Sequence, residues 1–146
     1  MENKKKEKVI VSACLLGKNC KYNGGNNYSE KVARYLVDKE VIAVCPEVMG
    51  GLPVPRPRVE LIDGTAINEN GENVDAYFTA RVEAVRKKIE NQEIAAAILQ
   101  PRSPSCGATQ IYDGSFSGRL ISGEGKLARV LRQEGIIVLD AADLEK

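Results

Sequence analysis

Short apolar runs alternate along this chain with stretches of helical periodicity, and that alternation leaves few folds open. Lys8 to Ala13, Val41 to Val44 and Ile94 to Leu99 read as strands. Between the first two, Ser29 to Glu40 places Val32, Tyr35 and Leu36 at the i, i+3, i+4 spacing of an amphipathic helix, with Ser29 as its N-cap. Before the third strand, Asp75 to Asn91 carries an apolar stripe of Phe78, Val82, Val85 and Ile89. Arg86, Lys87 and Lys88 follow near its C-terminal end, where the helix dipole favours positive charge. Gly125 to Glu134 is expected as a last helix and Ile136 to Leu139 as a last strand. Parallel strands need crossover connections, so the order predicts an α/β fold: a single Rossmann-like domain with a mostly parallel sheet and helices on both faces. At 146 residues, 43% of them hydrophobic, the chain suffices for one core and not for two, so residues 1–146 are expected to form one domain.

The segments between these elements are rich in turn formers. Gly17, Asn23, Gly24 and Gly25 mark a long loop after the first strand, and Asp113-Gly114 and Gly118 make Ile111 to Ile121 irregular or a small hairpin. Gly50 to Pro57 holds three prolines and two glycines in eight residues, which suits an irregular loop long enough to cover a site.

Charge narrows the partner. Lys and Arg number 21 against 20 Asp and Glu, without the excess that drives binding to nucleic acid or an anionic membrane, so a small-molecule partner is expected. The Lys-rich start, Met1 to Lys8, reads as a solvated tail. It leads into a strand rather than into an apolar run fit for a signal peptide or membrane span, so cytoplasmic residence is expected. The four cysteines are then reduced thiols serving as ligands, nucleophiles or core. No histidine occurs anywhere, which removes Ser-His-Asp and Cys-His catalysis and every His-containing zinc site.

In open parallel sheets, ligands bind beyond the carboxyl ends of the strands. Cys14 and Cys45 end the first two strands, and Cys106 lies shortly beyond the third, so the fold is expected to bring them together across 30 and 60 intervening residues. Three convergent thiolates suit an iron–sulfur cluster, zinc or copper. Buried inert cysteines are the plain alternative, and Cys20, six residues after Cys14, allows a closed four-cysteine zinc site. A phosphatase-like nucleophile is disfavoured, because the residues six beyond Cys14, Cys45 and Cys106 are Cys20, Gly51 and Tyr112 instead of arginine. No Cys-x-x-Cys pair supports thiol exchange. Gly123-Glu124-Gly125-Lys126-Leu127-Ala128 matches a loose dinucleotide fingerprint, with Asp140 ending the next strand, although it falls at the wrong end of the domain. Read as a helix start, it offers backbone N–H groups to an anionic or carbonyl group of a ligand.

Five blocks in order carry a more specific signal: Ser12-Ala13-Cys14-Leu15-Leu16-Gly17; Tyr22-Asn23-Gly24; Cys45-Pro46-Glu47 through Gly50-Gly51-Leu52-Pro53 to Pro55-Arg56; Ser103-Pro104-Ser105-Cys106-Gly107; and Tyr112-Asp113-Gly114-Ser115-Phe116. Together they resemble a bacterial domain-of-unknown-function family that includes the 2-thiouracil desulfidases. The resemblance implies a 4Fe-4S cluster on Cys14, Cys45 and Cys106 with one iron lacking a protein thiolate. It implies a non-redox desulfidase that removes sulfur from thiouracil or a related thiolated small molecule, the substrate sulfur held by the open iron while water replaces it. Glu47 and Ser103 match the positions assigned proton transfer and substrate orientation. Arg56, ahead of Arg58, is the candidate for orienting the substrate. Lys21 and Asn23 depart from the usual Arg and Asp of their block, which leaves the substrate open. The alternative is a non-catalytic iron–sulfur or zinc-binding redox or regulatory module.

Overall fold

The computed structural model describes residues 6–19, 24–45 and 57–144. Its centre is a four-stranded parallel sheet of β1 (Lys8–Ser12), β2 (Glu40–Val44), β5 (Ile94–Leu99) and β8 (Val138–Asp140), in the spatial order β2-β1-β5-β8. Two antiparallel hairpins flank it in sequence: β3 (Val59–Ile62) with β4 (Thr65–Asn68), and β6 (Gln110–Tyr112) with β7 (Leu120–Ser122). The helices are α1 (Glu30–Tyr35), α2 (Asp75–Ile89), α3 (Lys126–Gln133) and α4 (Ala141–Leu144).

Alternation along the strands divides the core in two. Val9, Val11 and Ile98 point to one face and pack with Val32 and Leu36 of the α1 region and with Ala141 and Leu144 of α4. Ile10, Ala97 and Leu99 point to the other and meet Val82, Val85 and Ile89 of α2 and Leu127 and Leu131 of α3. Helices therefore cover both faces. The α2 stripe read from the sequence is buried at every position, Phe78 completely. Each such side chain contributes about 1.5–3 kcal/mol relative to an exposed one.

The helix boundaries shift for local reasons. Ser29 caps α1 as expected, its Oγ accepting the Val32 N–H, but α1 ends at Tyr35 because the chain turns at once into β2. The α2 helix stops at Ile89, two residues before Asn91, whose left-handed φ of 64° cannot continue a helix. The last strand starts at Val138 and runs on through Asp140. Among the described residues no helix is long and apolar enough to cross a membrane.

From β1 the chain passes through α1 to β2, then over the opposite face through α2 to β5 on the other side of β1. The loops leaving β1 and β5 thus part to opposite faces and open a crevice between two adjacent strands. That topological switch point is where sheets of this kind bind ligands.

Candidate active site at the switch point

The floor of the crevice is a side chain to backbone bond. Ser12, buried at the end of β1, accepts the Gln100 N–H on its Oγ at 2.9 Å, tying the ends of β1 and β5 together. Ala13–Leu16 then forms a 3-10 turn carrying Cys14. The turn closes at Gly17, whose φ of 93° suits glycine and whose N–H returns to the Cys14 carbonyl. Cys14 is buried. Its carbonyl also accepts the Asn27 N–H at 2.9 Å, and its sulfur lies 3.8 Å from the Asn27 side-chain nitrogen.

The loop after β5 is held from three sides. Ser103 accepts two N–H groups on its Oγ, from Ser105 at 3.1 Å and Cys106 at 3.0 Å, while its carbonyl takes the Gly107 N–H. From a second side, the start of α3 donates into the same loop: Gly125 N–H to Gly107 O at 2.7 Å, Lys126 N–H to Pro104 O at 2.9 Å, and Leu127 N–H to Ser105 O at 2.8 Å. From a third, Asp140 at the end of β8 accepts the Ala108 N–H and the Thr109 hydroxyl on its two oxygens at 3.1 and 3.0 Å. Cys106, 5% exposed, is thereby fixed in place beyond the end of β5.

This arrangement agrees with reading the segment as a helix start and corrects the suggestion that its N–H groups face a ligand. The N–H groups of Gly123, Gly125, Lys126, Leu127 and Ala128 are spent on carbonyls of the 104–109 loop and are not turned to a ligand. Asp140 braces that loop instead of facing a ribose. The sequence signal for both was the same Gly-x-Gly-x-x-Ala spacing, which reports only a tight approach of helix start and neighbouring backbone.

Cys45 directly follows Val44, the register partner of Ser12, and is half-buried against the cluster that holds Cys14, while Cys106 belongs to the cluster on the opposite face. All three cysteines follow the C-terminal ends of adjacent parallel strands, Cys14 and Cys45 closely and Cys106 beyond the loop that leaves β5, and none is in a disulfide. Among the described residues, no three Cys, Asp or Glu side chains close on a single metal ion. A donor set of thiolates alone, without histidine, is the chemistry an iron–sulfur cluster takes, each thiolate on a different iron. Cys20, Glu47 and Arg56, together with the Pro-rich loop up to residue 56, lie outside the described residues.

Arg58 and the charged residues around it have structural partners. Arg58 pairs with Glu69 at 3.1 Å and stands over the Phe116 ring at 5.8 Å, so orienting a ligand is not its evident task. Glu60, buried in β3, accepts the N–H groups of Gly114 and Phe116, which explains the Tyr112–Phe116 block as a loop held on a carboxylate. At the start of α3, Lys126 pairs with Asp75 at the start of α2 at 2.8 Å. Burial would raise the Asp75 carboxyl, but the Lys126 ammonium and the Ala66 N–H outweigh it and hold the group below its ordinary value.

A family model described as 2-thiouracil desulfurase matches residues 9–143. Over 149 aligned residues the chain is 36% identical to the uncharacterized protein YbbK of Bacillus subtilis strain 168, with 93% of this chain and 97% of that protein covered. Among solved structures, the 4Fe-4S-dependent thiouracil desulfidase TudS is 40% identical and superposes with a TM-score of 0.88, over 96% of this chain and 94% of that one.

Proposed function

The chain belongs to the 2-thiouracil desulfurase family, and on that footing we propose that it is a 4Fe-4S-dependent desulfidase of thiouracil or a related thiolated small molecule. The observation that carries this is likeness over nearly the whole length, in sequence and in fold, to a desulfidase of that description. The reading takes residues 1–146 as one catalytic domain working in the cytoplasm, with no nucleic acid or membrane partner. Cys14, Cys45 and Cys106 would hold the cluster. When bound, it supplies a soft Lewis acid for a thiocarbonyl sulfur at an iron that no protein thiolate occupies.

The chain's own residues supply the rest. With no histidine in the sequence, proton handling falls to carboxylates, hydroxyls and thiols. Ser103 is the proposed donor beside the crevice: both lone pairs of its Oγ are taken by N–H groups, so its own proton is what remains to give. Glu47, on the segment after Cys45, is the proposed base for the water that replaces sulfur. Arg56 is the proposed anchor for a substrate carbonyl. For these two the support is the family motif.

Anaerobic purification followed by iron and acid-labile sulfide analysis tests the reading, with sulfide release from 2-thiouracil measured on the loaded protein. Equal iron and sulfide, lost in Cys14→Ala, Cys45→Ala and Cys106→Ala but kept in Cys20→Ala, is the expected result. A zinc-only protein without labile sulfide would end the cluster reading. A loaded protein inert toward thiolated pyrimidines and thioamides would leave the non-catalytic module.

A further inference from the structure

The segment entering α1 folds back against the Cys14 turn. Asn27 N–H donates to the Cys14 carbonyl at 2.9 Å, and two residues on, Ser29 N–H donates to the Leu15 carbonyl at 3.1 Å. Residue 27 is thus fixed against Cys14 by backbone bonds on both sides of residue 28. From that anchor its half-buried side chain extends the amide nitrogen to the Cys14 sulfur, 3.8 Å away. An amide nitrogen only donates. The reverse amide orientation would press its oxygen against a thiolate, two acceptors in contact, so the donor orientation is the one a ligating sulfur selects.

We infer that Asn27 tunes the cluster through the Cys14 thiolate, donating a hydrogen bond that draws electron density off the sulfur. The inference rests on Cys14 being a cluster ligand. Hydrogen bonds to ligating sulfurs are among the determinants of cluster potential, and a donor to an ionised acceptor is stronger than one between neutral groups. The bond favours the more negative, reduced state, so its loss moves the potential downward. An electron-poorer sulfur also leaves the iron a better acceptor for a soft sulfur ligand.

The test uses the anaerobically loaded full chain and reads potential and spectrum rather than turnover. Asn27→Leu removes the donor, and Asn27→Asp replaces it with a negative acceptor of nearly the same size. Both are expected to keep wild-type iron and sulfide. In Asn27→Leu the ratio of reduced to oxidised cluster at fixed potential should fall by on the order of tenfold, about 59 mV for one electron. Asn27→Asp should fall further, with shifted charge-transfer bands in both variants. Loaded variants with the wild-type potential and spectrum overturn the inference. If Asn27→Leu alone loses iron, Asn27→Asp decides by the same criterion. Loss of iron from both, with the fold intact by circular dichroism, overturns it too, since Asn27 would then be needed for assembly. Cys14→Ala, made in parallel, separates the two levels: retention of the cluster there sinks the ligand reading, whereas its loss beside an unshifted Asn27→Leu sinks only the role of Asn27.

Discussion

Gly125 lies so close to the Ser105–Cys106 peptide that a Cβ on it would stand 2.4 Å from the Ser105 carbonyl carbon and 2.7 Å from the Cys106 nitrogen. Its φ of −70° and ψ of 166° are open to any residue, so the need for glycine here is one of space and not of backbone freedom. Neither contact is with a flexible side chain that could swing away. Gly125→Ala must push α3 and the Cys106 loop apart. The expected outcome is a loss of about 1–3 kcal/mol in stability, typical of overpacking, and a larger proportional loss of iron per chain. Chemical denaturation and iron analysis on the same preparations check it. Unchanged iron in a stably folded variant would show that the α3 contact does not set the position of Cys106.

Asp140 and Thr109 make a second prediction. The Asp140 carboxylate, 8% exposed, satisfies the Ala108 N–H with one oxygen and the Thr109 hydroxyl with the other. In Asp140→Ala both donors lose their acceptor and the buried Ala108 N–H is orphaned, at a cost of about 1–3 kcal/mol. Thr109→Val removes one of those donors and should cost about 1 kcal/mol by itself. Because the two share a bond, the double variant should be less destabilised than the sum of the singles. Strict additivity in urea unfolding would mean that the bond contributes nothing.

The Asp75–Lys126 pair predicts an acid-dependent contribution. The Asp75 carboxyl is held below its unfolded value of 3.8, so the pair's stabilisation is present above that pH and drains away as pH falls through the lower folded value. Lys126→Met should cost about 1 kcal/mol at neutral pH, as expected of a partly exposed pair. The gap between wild type and variant should close only in strong acid, once Asp75 is protonated in both. A gap in unfolding free energy that stays constant from neutral pH down to about pH 2 would assign the effect to Lys126 packing instead of its charge.

What was legible in the sequence was what periodicity and local chemistry encode. The strands β1, β2 and β5, the α2 stripe and the Ser29 cap are each written within a few consecutive residues. The positions of Cys14 and Cys45 just past the ends of β1 and β2 are equally local, each cysteine closing its own apolar run. The β3–β4 hairpin was also legible in principle: Asp63-Gly64, both at positive φ, is the turn signal between Val59–Ile62 and Thr65–Asn68. The supports of the site were not legible. Asp140 acts on Ala108 from 32 residues away, Ser12 on Gln100 from 88, and no local pattern announces such pairs. Gly125 is visible as part of a motif, but its true partner is not, because a glycine that admits a ligand and one that admits a neighbouring peptide look alike in sequence.

Ser103 offers the sharpest separation of structure from chemistry. Its Oγ accepts the Ser105 and Cys106 N–H groups, a turn-stabilising role that an aspartate side chain also performs. At neutral pH, however, an ionised carboxylate accepts and does not donate. Ser103→Asp should therefore keep the loop and its iron while losing the proton proposed to meet the substrate. Ser103→Ala loses both, leaving two N–H groups beside Cys106 without that acceptor. We expect Ser103→Asp to hold near wild-type iron with sulfide release from 2-thiouracil slowed by roughly two orders of magnitude, the low end of what general acid help supplies. Ser103→Ala should lose iron as well as rate. Sulfide release is to be scored per intact cluster, so that cofactor loss does not pass for lost chemistry. Ser103→Asp turning over like wild type would reduce Ser103 to a brace for Cys106 and move the donor elsewhere in the crevice.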